Sequence, residues 1–260
     1  MMGHLEFLRM TMDFGYVLSG LLIGTIVGMT GVGGGSLMTP LLVIAFGIQA
    51  PVAVGTDLLY AAITKAGGAW VHGRSGHVDW KIAGLLASGS VPASLLGVAF
   101  LKAVDKYAMV SVITTTLGIA LILTSIALLY REKIRRLSPL PENRLRLATV
   151  VTGAMLGILV TVSSVGAGAL GTVALFYLYP RLSTIRVIGT DIAHAVPLTL
   201  IAGIGHASIG TVDFHLLESL LIGSLPGIFF GSRIGSKIPE KMLRGILACM
   251  LILVGGKLIF

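Results

Sequence analysis

Apolar residues run almost without interruption along this chain, and polar positions punctuate them at intervals that suit membrane-spanning helices. No charge occurs from Phe14 to Gln49. That stretch is too long for one span of roughly 20 residues. The glycines of GVGGGS, Gly31 to Ser36, are poor helix formers in its middle. The pattern therefore predicts an apolar segment broken at membrane depth. Broken backbone in hydrocarbon is tolerated only where protein buries it or where it lines a polar cavity, so the break is the first place to look for a binding site.

The hydrophobic pattern then predicts a helix from about Val52 to Val71 and uncharged spans over Ile82 to Leu101 and Tyr107 to Tyr130. A polar stretch, Arg131 to Arg146, carries Pro139 and Pro141 and reads as a linker. Beyond it lie a second broken segment (Leu147 to Tyr179) and helices from Val187 to about Gly205, Phe214 to Phe230 and Leu243 to Phe260.

The second half repeats the first. At a shift of 133, Ser164 to Leu170 fall on Gly31 to Leu37. At 134, Gly55, Thr56 and Asp57 fall on Gly189, Thr190 and Asp191, and His72, Gly76, Asp79, Pro92 and Gly97 fall on His206, Gly210, Asp213, Pro226 and Gly231. The predicted fold is an all-α integral membrane protein of two inverted repeats, each a broken, re-entrant helical hairpin followed by three transmembrane helices. The division is 1–130 for the first repeat, 131–146 for a cytoplasmic linker and 147–260 for the second repeat. Duplicated membrane folds with interrupted segments in corresponding places are typical of secondary transporters that bind substrate at the repeat interface.

Composition strengthens the membrane reading and removes other classes. Of 260 residues, 55% are hydrophobic and 12% charged. The net charge of +8 is carried in the short loops, as a topology signal is, so no nucleic-acid partner is expected. The single Cys249 excludes a disulfide framework, and no metal or cofactor is expected. If each broken segment folds back, fourteen Lys and Arg residues collect on one face and four on the other; if each crosses once, the split is ten to eight. The positive-inside rule selects the first arrangement, with the linker cytoplasmic and both termini periplasmic.

The blocks GVGGGSLMTPLL (Gly31 to Leu42), GTDLLYAAITKAGGAWVH (Gly55 to His72), GAGALGTVALFYLYPRL (Gly166 to Leu182) and GTDIAHAVPLTL (Gly189 to Leu200) resemble the sulfite exporter TauE/SafE family. The resemblance covers nearly the whole chain. It implies a permease of the bacterial inner membrane, not an enzyme, that moves sulfite, an organosulfonate or another small sulfur-containing anion. The competing reading is an anion channel or uniporter with an amide-lined pore. Nothing in the sequence bears on oligomeric state.

The candidate substrate-binding residues are Gly31, Gly33, Gly34, Gly35 and Ser36 in the first break, Gly166 and Gly168 in the second, and Lys65. Helices that begin after the glycines would direct amides and positive dipole ends inward, where they attract anions. Ala167 and Ala169 replace Gly34 and Ser36, so the two half-sites should not bind identically. Lys65 is the basic residue deepest in a span and aligns with Thr199. An intramembrane cation tends to be functional; the alternative is an ion pair with Asp57 or Asp191. These two carboxylates either relay a coupling proton or cap exposed backbone, and capping suits a symmetric pair better. His194, three residues beyond Asp191 on the same helix face, is the better proton-relay candidate of the second half. His72 and His206 are assigned to loop structure or gating.

Overall fold

The computed structural model describes residues 2–30, 35–135, 141–234 and 240–259. Among them the chain forms helices only: α1 (Met2–Thr30), α2 (Gly35–Ala45), α3 (Ala50–Arg74), α4 (Trp80–Ala103), α5 (Lys106–Arg135), α6 (Glu142–Ser163), α7 (Ala169–Leu178), α8 (Thr184–Ile209), α9 (Phe214–Ile234) and α10 (Glu240–Ile259). Five of these, α4, α5, α6, α8 and α9, are long and apolar enough to cross a bilayer. Their outward positions carry large apolar side chains such as Leu96, Met155 and Ile222, as a lipid-facing surface requires. This is a multi-pass integral membrane protein.

The polar stretch between the halves is largely helical in the described residues, since α5 runs on to Arg135 and α6 begins at Glu142. Charged residues there end the hydrophobic pattern without ending the helix, because a backbone that satisfies its own hydrogen bonds can leave the membrane intact.

Each broken segment is a long helix followed by a short one. With ten residues, α7 is only about 15 Å long, roughly half the hydrocarbon thickness. It folds back along α6: the Tyr179 hydroxyl, one residue past α7, shares a 2.7 Å hydrogen bond with Thr149 near the start of α6. At the positions 133 residues earlier, Phe46 follows α2 and packs against Tyr16 of α1 at 5.0 Å between ring centroids, the rings tilted by 55°. Both hairpins are therefore closed by a contact between equivalent positions, one polar and one aromatic.

The halves are interleaved. α1 packs on α9 and α6 on α4. Neither contact leaves room for a Cβ: Gly20 lies against the Leu220 carbonyl and Gly153 against that of Leu86, while Gly223 meets Val17 and Gly89 meets Val150. Every one of these contacts has its counterpart at the repeat shift, the pattern that two copies related by a two-fold axis produce. Small residues at such crossings let backbones touch where lipid supplies no hydrophobic drive for association. At the centre, α3 packs on α8, with Leu59 on Gly203 and Ile192 closest to Gly68, so the two helices run antiparallel.

Candidate functional site

The duplicated GTD motif has a structural job at its first two residues. Gly55 fits under the Thr211 carbonyl and His206, and Gly189 under the His77 carbonyl and His72. The Thr56 hydroxyl then accepts the Asp213 amide at 3.0 Å, and the Thr190 hydroxyl accepts the Asp79 amide at 2.9 Å. Asp79 and Asp213 in turn accept amides of the first turns of α4 and α9, from Ile82 and Leu216, as N-cap side chains do. Each motif thus fixes the helix start of the opposite repeat. A Gly serves because the loop backbone crosses directly over it, and a Thr because one hydroxyl reaches one buried amide.

The third residue turns inward, and here the halves differ. Asp57 is fully buried. Its Oδ2 accepts the Thr39 hydroxyl of α2 at 2.5 Å and the Ser164 hydroxyl of the second break at 2.9 Å, so it ties one hairpin to the other. Asp191 is equally deep, at 1% exposure, yet neither of its carboxylate oxygens has a hydrogen-bond partner among the described residues. The repeat shift puts Gly31, without a side chain, where the other half has Ser164. Thr172, the equivalent of Thr39, turns its hydroxyl back to the Gly168 and Ala169 carbonyls. Gly171 makes the space: a Cβ there would collide with Asp191 Oδ1.

One helical turn on, the pattern repeats. Tyr60 and Ser224 share a buried 2.6 Å hydrogen bond, and at the equivalent positions His194 Nε2 and Ser90 share one of 2.8 Å. His194 Nδ1 is left without a partner among the described residues.

Lys65 lies near the centre of this arrangement. The Leu59–Gly203 and Gly68–Ile192 contacts place it about 3 Å along α3 from the pseudo-two-fold axis. Its ammonium forms no ion pair with Asp57 or Asp191, although both carboxylates and His194 are within its electrostatic reach. Instead, Nζ donates to the Ala167 carbonyl at 2.7 Å, in the second break. A long flexible stem carries a full positive charge to the interrupted backbone, and an ammonium has three donors.

The break itself is buried from Val160 to Ala169. Ser164 has a left-handed backbone (φ 59°), and Gly166 and Gly168 have φ 123° and 119°. The two glycines are needed first for those angles, which side chains resist; closeness to a ligand is a second use of the same residues. The amides of Gly171 and Thr172 bond back to the Gly166 and Gly168 carbonyls, which leaves the first amides of α7 at the break, as helix starts do. In the first break, Gly31, Gly33 and Gly34 lie outside the described residues. Gly35 opens α2, and Ser36 is buried at its second position.

Thr39, Ser90, Ser164 and the Ala167 carbonyl belong to this site, although none was among the candidate site residues. A polar residue inside an apolar run was the available signal for the first three. His206 bonds Thr211 and the Thr161 carbonyl and holds a loop; His72 lies 5.8 Å from His77 between ring centroids. No group among the described residues is arranged to hold a metal. A large cavity of about 1090 Å³ lies elsewhere, between α4, α5, α6 and α7; its lining is apolar and includes the exposed Leu96 and Met155.

Comparisons with known proteins identify the family. The family model for "Sulfite exporter TauE/SafE" matches residues 16–258. A "Probable membrane transporter protein YjnA" of Bacillus subtilis (strain 168) is 37% identical over 256 residues, covering 95% of this chain and 100% of the relative. A second B. subtilis relative, "Probable membrane transporter protein YdhB", is 27% identical over 92% of this chain and 97% of its own length. A "Probable membrane transporter protein" of Xylella fastidiosa (strain Temecula1 / ATCC 700964) is 25% identical over 85% of this chain and 84% of its own. No solved structure gives a significant match. With the family model spanning almost the entire chain, the protein belongs to the sulfite exporter TauE/SafE family and is a membrane transporter, not an enzyme.

Proposed function

We propose that the protein is a secondary transporter for a small sulfur-containing anion such as sulfite or an organosulfonate, bound at the repeat interface between the two glycine-rich breaks and moved by alternating access. The observation that carries this reading is Lys65, which brings its ammonium to the Ala167 carbonyl of the second break with no carboxylate in ion-pair contact. A fixed charge beside helix-start amides supports an anion site. The family name supports the sulfur oxyanion class. Gly31, Gly33, Gly34, Gly35 and Ser36 line the same site from the first repeat in this reading.

Purified protein in liposomes tests it. Radiolabelled sulfite should exchange against internal sulfite with saturation, and sulfonates should compete while chloride should not. Non-saturating flux without counterflow would instead indicate a channel. In the cell we place the protein in the bacterial inner membrane, with the Arg131 to Arg146 region cytoplasmic and both termini periplasmic. The Lys and Arg distribution supports this orientation. In a Cys249→Ser background, an impermeant thiol reagent should label a cysteine placed at Glu6 and not one placed at Glu142; equal labelling would refute it.

A further inference from the structure

Two buried carboxylates stand at equivalent places in the repeats, and only Asp57 has hydrogen-bond partners among the described residues, both on Oδ2, its Oδ1 having none. Asp191 has none among the described residues, at 1% exposure. An ionised carboxylate left so would be costly, and side chains that merely hold structure in a membrane are paired. Its surroundings are also the more ionisable of the two. Where Asp57 has Tyr60 one turn on, Asp191 has His194, whose Nε2 is held by Ser90 and whose Nδ1 is unpartnered among the described residues.

We infer that Asp191, with His194 beside it and Lys65 across the helix interface, is the proton-binding group that couples anion movement to a proton gradient, while Asp57 is its structural counterpart. This rests on the anion-transporter reading. The step is a protonation: Asp191 carboxylate takes one proton from the aqueous side on which the site is open, becomes the neutral acid, and releases the proton on the other side. An anion arriving at Lys65 brings a further negative charge to a region that holds one ammonium and the Asp57 and Asp191 carboxylates. A proton on Asp191 restores the charge balance there, so proton and anion move together.

The ionisable groups around Asp191 are few. α3 presents Lys65, Asp57 and, near Gly189, His72; the loop before α4 presents His77 and Asp79. Asp79 is paired with Arg186 of α8 at 3.3 Å. Within α7 the only ionisable side chain is Tyr177, and the second half of α6, Gly153 to Ser163, has none.

The test compares wild type with Asp191→Asn, Asp191→Glu and Asp57→Asn in liposomes, with radiolabelled sulfite as the probe. Asp191→Asn should keep sulfite exchange at equal pH within about threefold and lose accumulation driven by a pH gradient by about tenfold or more. Asp191→Glu, which can still bind a proton, should keep part of the gradient response. Asp57→Asn should lower exchange and accumulation by the same factor, together with thermal stability. Infrared difference spectra between acid and alkaline pH give a second readout that needs no substrate. Among the carbonyl stretches of the chain's protonated carboxyls, one band should be present in wild type and Asp57→Asn and missing in Asp191→Asn. Full gradient-driven accumulation by Asp191→Asn, a sodium gradient that replaces the proton gradient, or carbonyl bands in Asp191→Asn identical to those of wild type would each overturn the inference. If wild type exchanges no sulfite, the proposed substrate fails, and the infrared comparison still decides the proton site.

Discussion

Asp57 and Asp191 begin from the same three-residue motif on equivalent helices and end in different surroundings. The helix crossings about them are alike in both halves: Gly20 and Gly153, Gly24 and Gly157, and Gly89 and Gly223 all pack directly on the backbone of the partner helix. The hydroxyls of Thr56 and Thr190 hold the loops in the same way. Differences gather at the side chains that point to the centre. Tyr60 faces Ser224 where His194 faces Ser90, Lys65 stands where the other half has Thr199, and Ser164 stands where the other has Gly31. Contacts between backbones carry the architecture and require both copies to stay alike. Polar groups at the centre carry little of that load, so one half can hold the structure while the other acquires ionisable chemistry.

Loss of Lys65 should give the largest effect. It removes the only full positive charge at the centre of the α3–α8 crossing among the described residues. Lys65→Gln should weaken sulfite binding by about tenfold or more, at least roughly 1.4 kcal/mol, whereas Lys65→Arg should retain part of the affinity with altered selectivity, because the guanidinium is planar and larger. Lys65→Thr combined with Thr199→Lys sharpens the comparison: if the scaffold is two-fold, the moved charge should restore some binding. Undiminished affinity in Lys65→Gln, measured on monodisperse protein, would reduce Lys65 to a brace for the break.

The crossing glycines come next and test symmetry directly. A methyl at Gly89 meets the Val150 carbonyl, and one at Gly223 meets that of Val17. Overpacking of this sort costs about 1–3 kcal/mol, so Gly89→Ala and Gly223→Ala should lower thermal stability by similar amounts. A large loss for one and none for the other would break the claim that packing is the shared property.

Much of this could be read in the sequence, and the reason is the duplication. Aligning the halves exposed both breaks, the GTD motifs and the solitary Lys65, because each is a departure from an apolar background that occurs at a corresponding place or conspicuously lacks a counterpart. Hidden from it were the cross-repeat partners. An ion pair of Lys65 with Asp57 or Asp191 was the natural alternative to substrate contact, yet the ammonium goes to Ala167, 102 residues away. Which hydroxyl reaches which carboxylate depends on how α3 crosses the opposite hairpin, and hydropathy has no information about that crossing. The ends of α5 and α6 were hidden for a simpler reason, since a helix that leaves the membrane changes composition and not conformation.

A smaller effect is expected at Ser164, which distinguishes the hydrogen-bonded carboxylate from the unpartnered one. Ser164→Ala removes one of the two hydroxyl donors to Asp57 Oδ2, a loss of about 1–3 kcal/mol when the acceptor stays buried. Ser164→Gly removes the same donor but relaxes a backbone at φ 59°, which glycine adopts freely. It should therefore be the milder change, and it also gives this half the residue found at Gly31. Equal stability of Ser164→Ala and wild type in thermal unfolding would show that Asp57 does not depend on the bridge between hairpins.

The smallest expected effect lies at Tyr60, whose hydroxyl meets Ser224 where the other half has His194 and Ser90. Tyr60→Phe keeps the ring, which is fully buried in the core, and removes one hydrogen bond. Ser224 is left buried without its partner, but a serine inside a helix can turn its hydroxyl to the carbonyl four residues back, so the net cost should stay near 1 kcal/mol. At the scale of a domain this size, that is about 2–4 °C in Tm. Sulfite exchange and its response to a pH gradient should both be unchanged, because this half carries no proton in the present assignment. His194→Gln makes a comparable change to the equivalent hydrogen bond with Ser90 and should alter the gradient response. Measured side by side in liposomes, the two variants separate a hydrogen bond that only braces a helix pair from one that belongs to a proton site. A gradient response lost in Tyr60→Phe would place proton chemistry in both halves and dissolve the distinction between them.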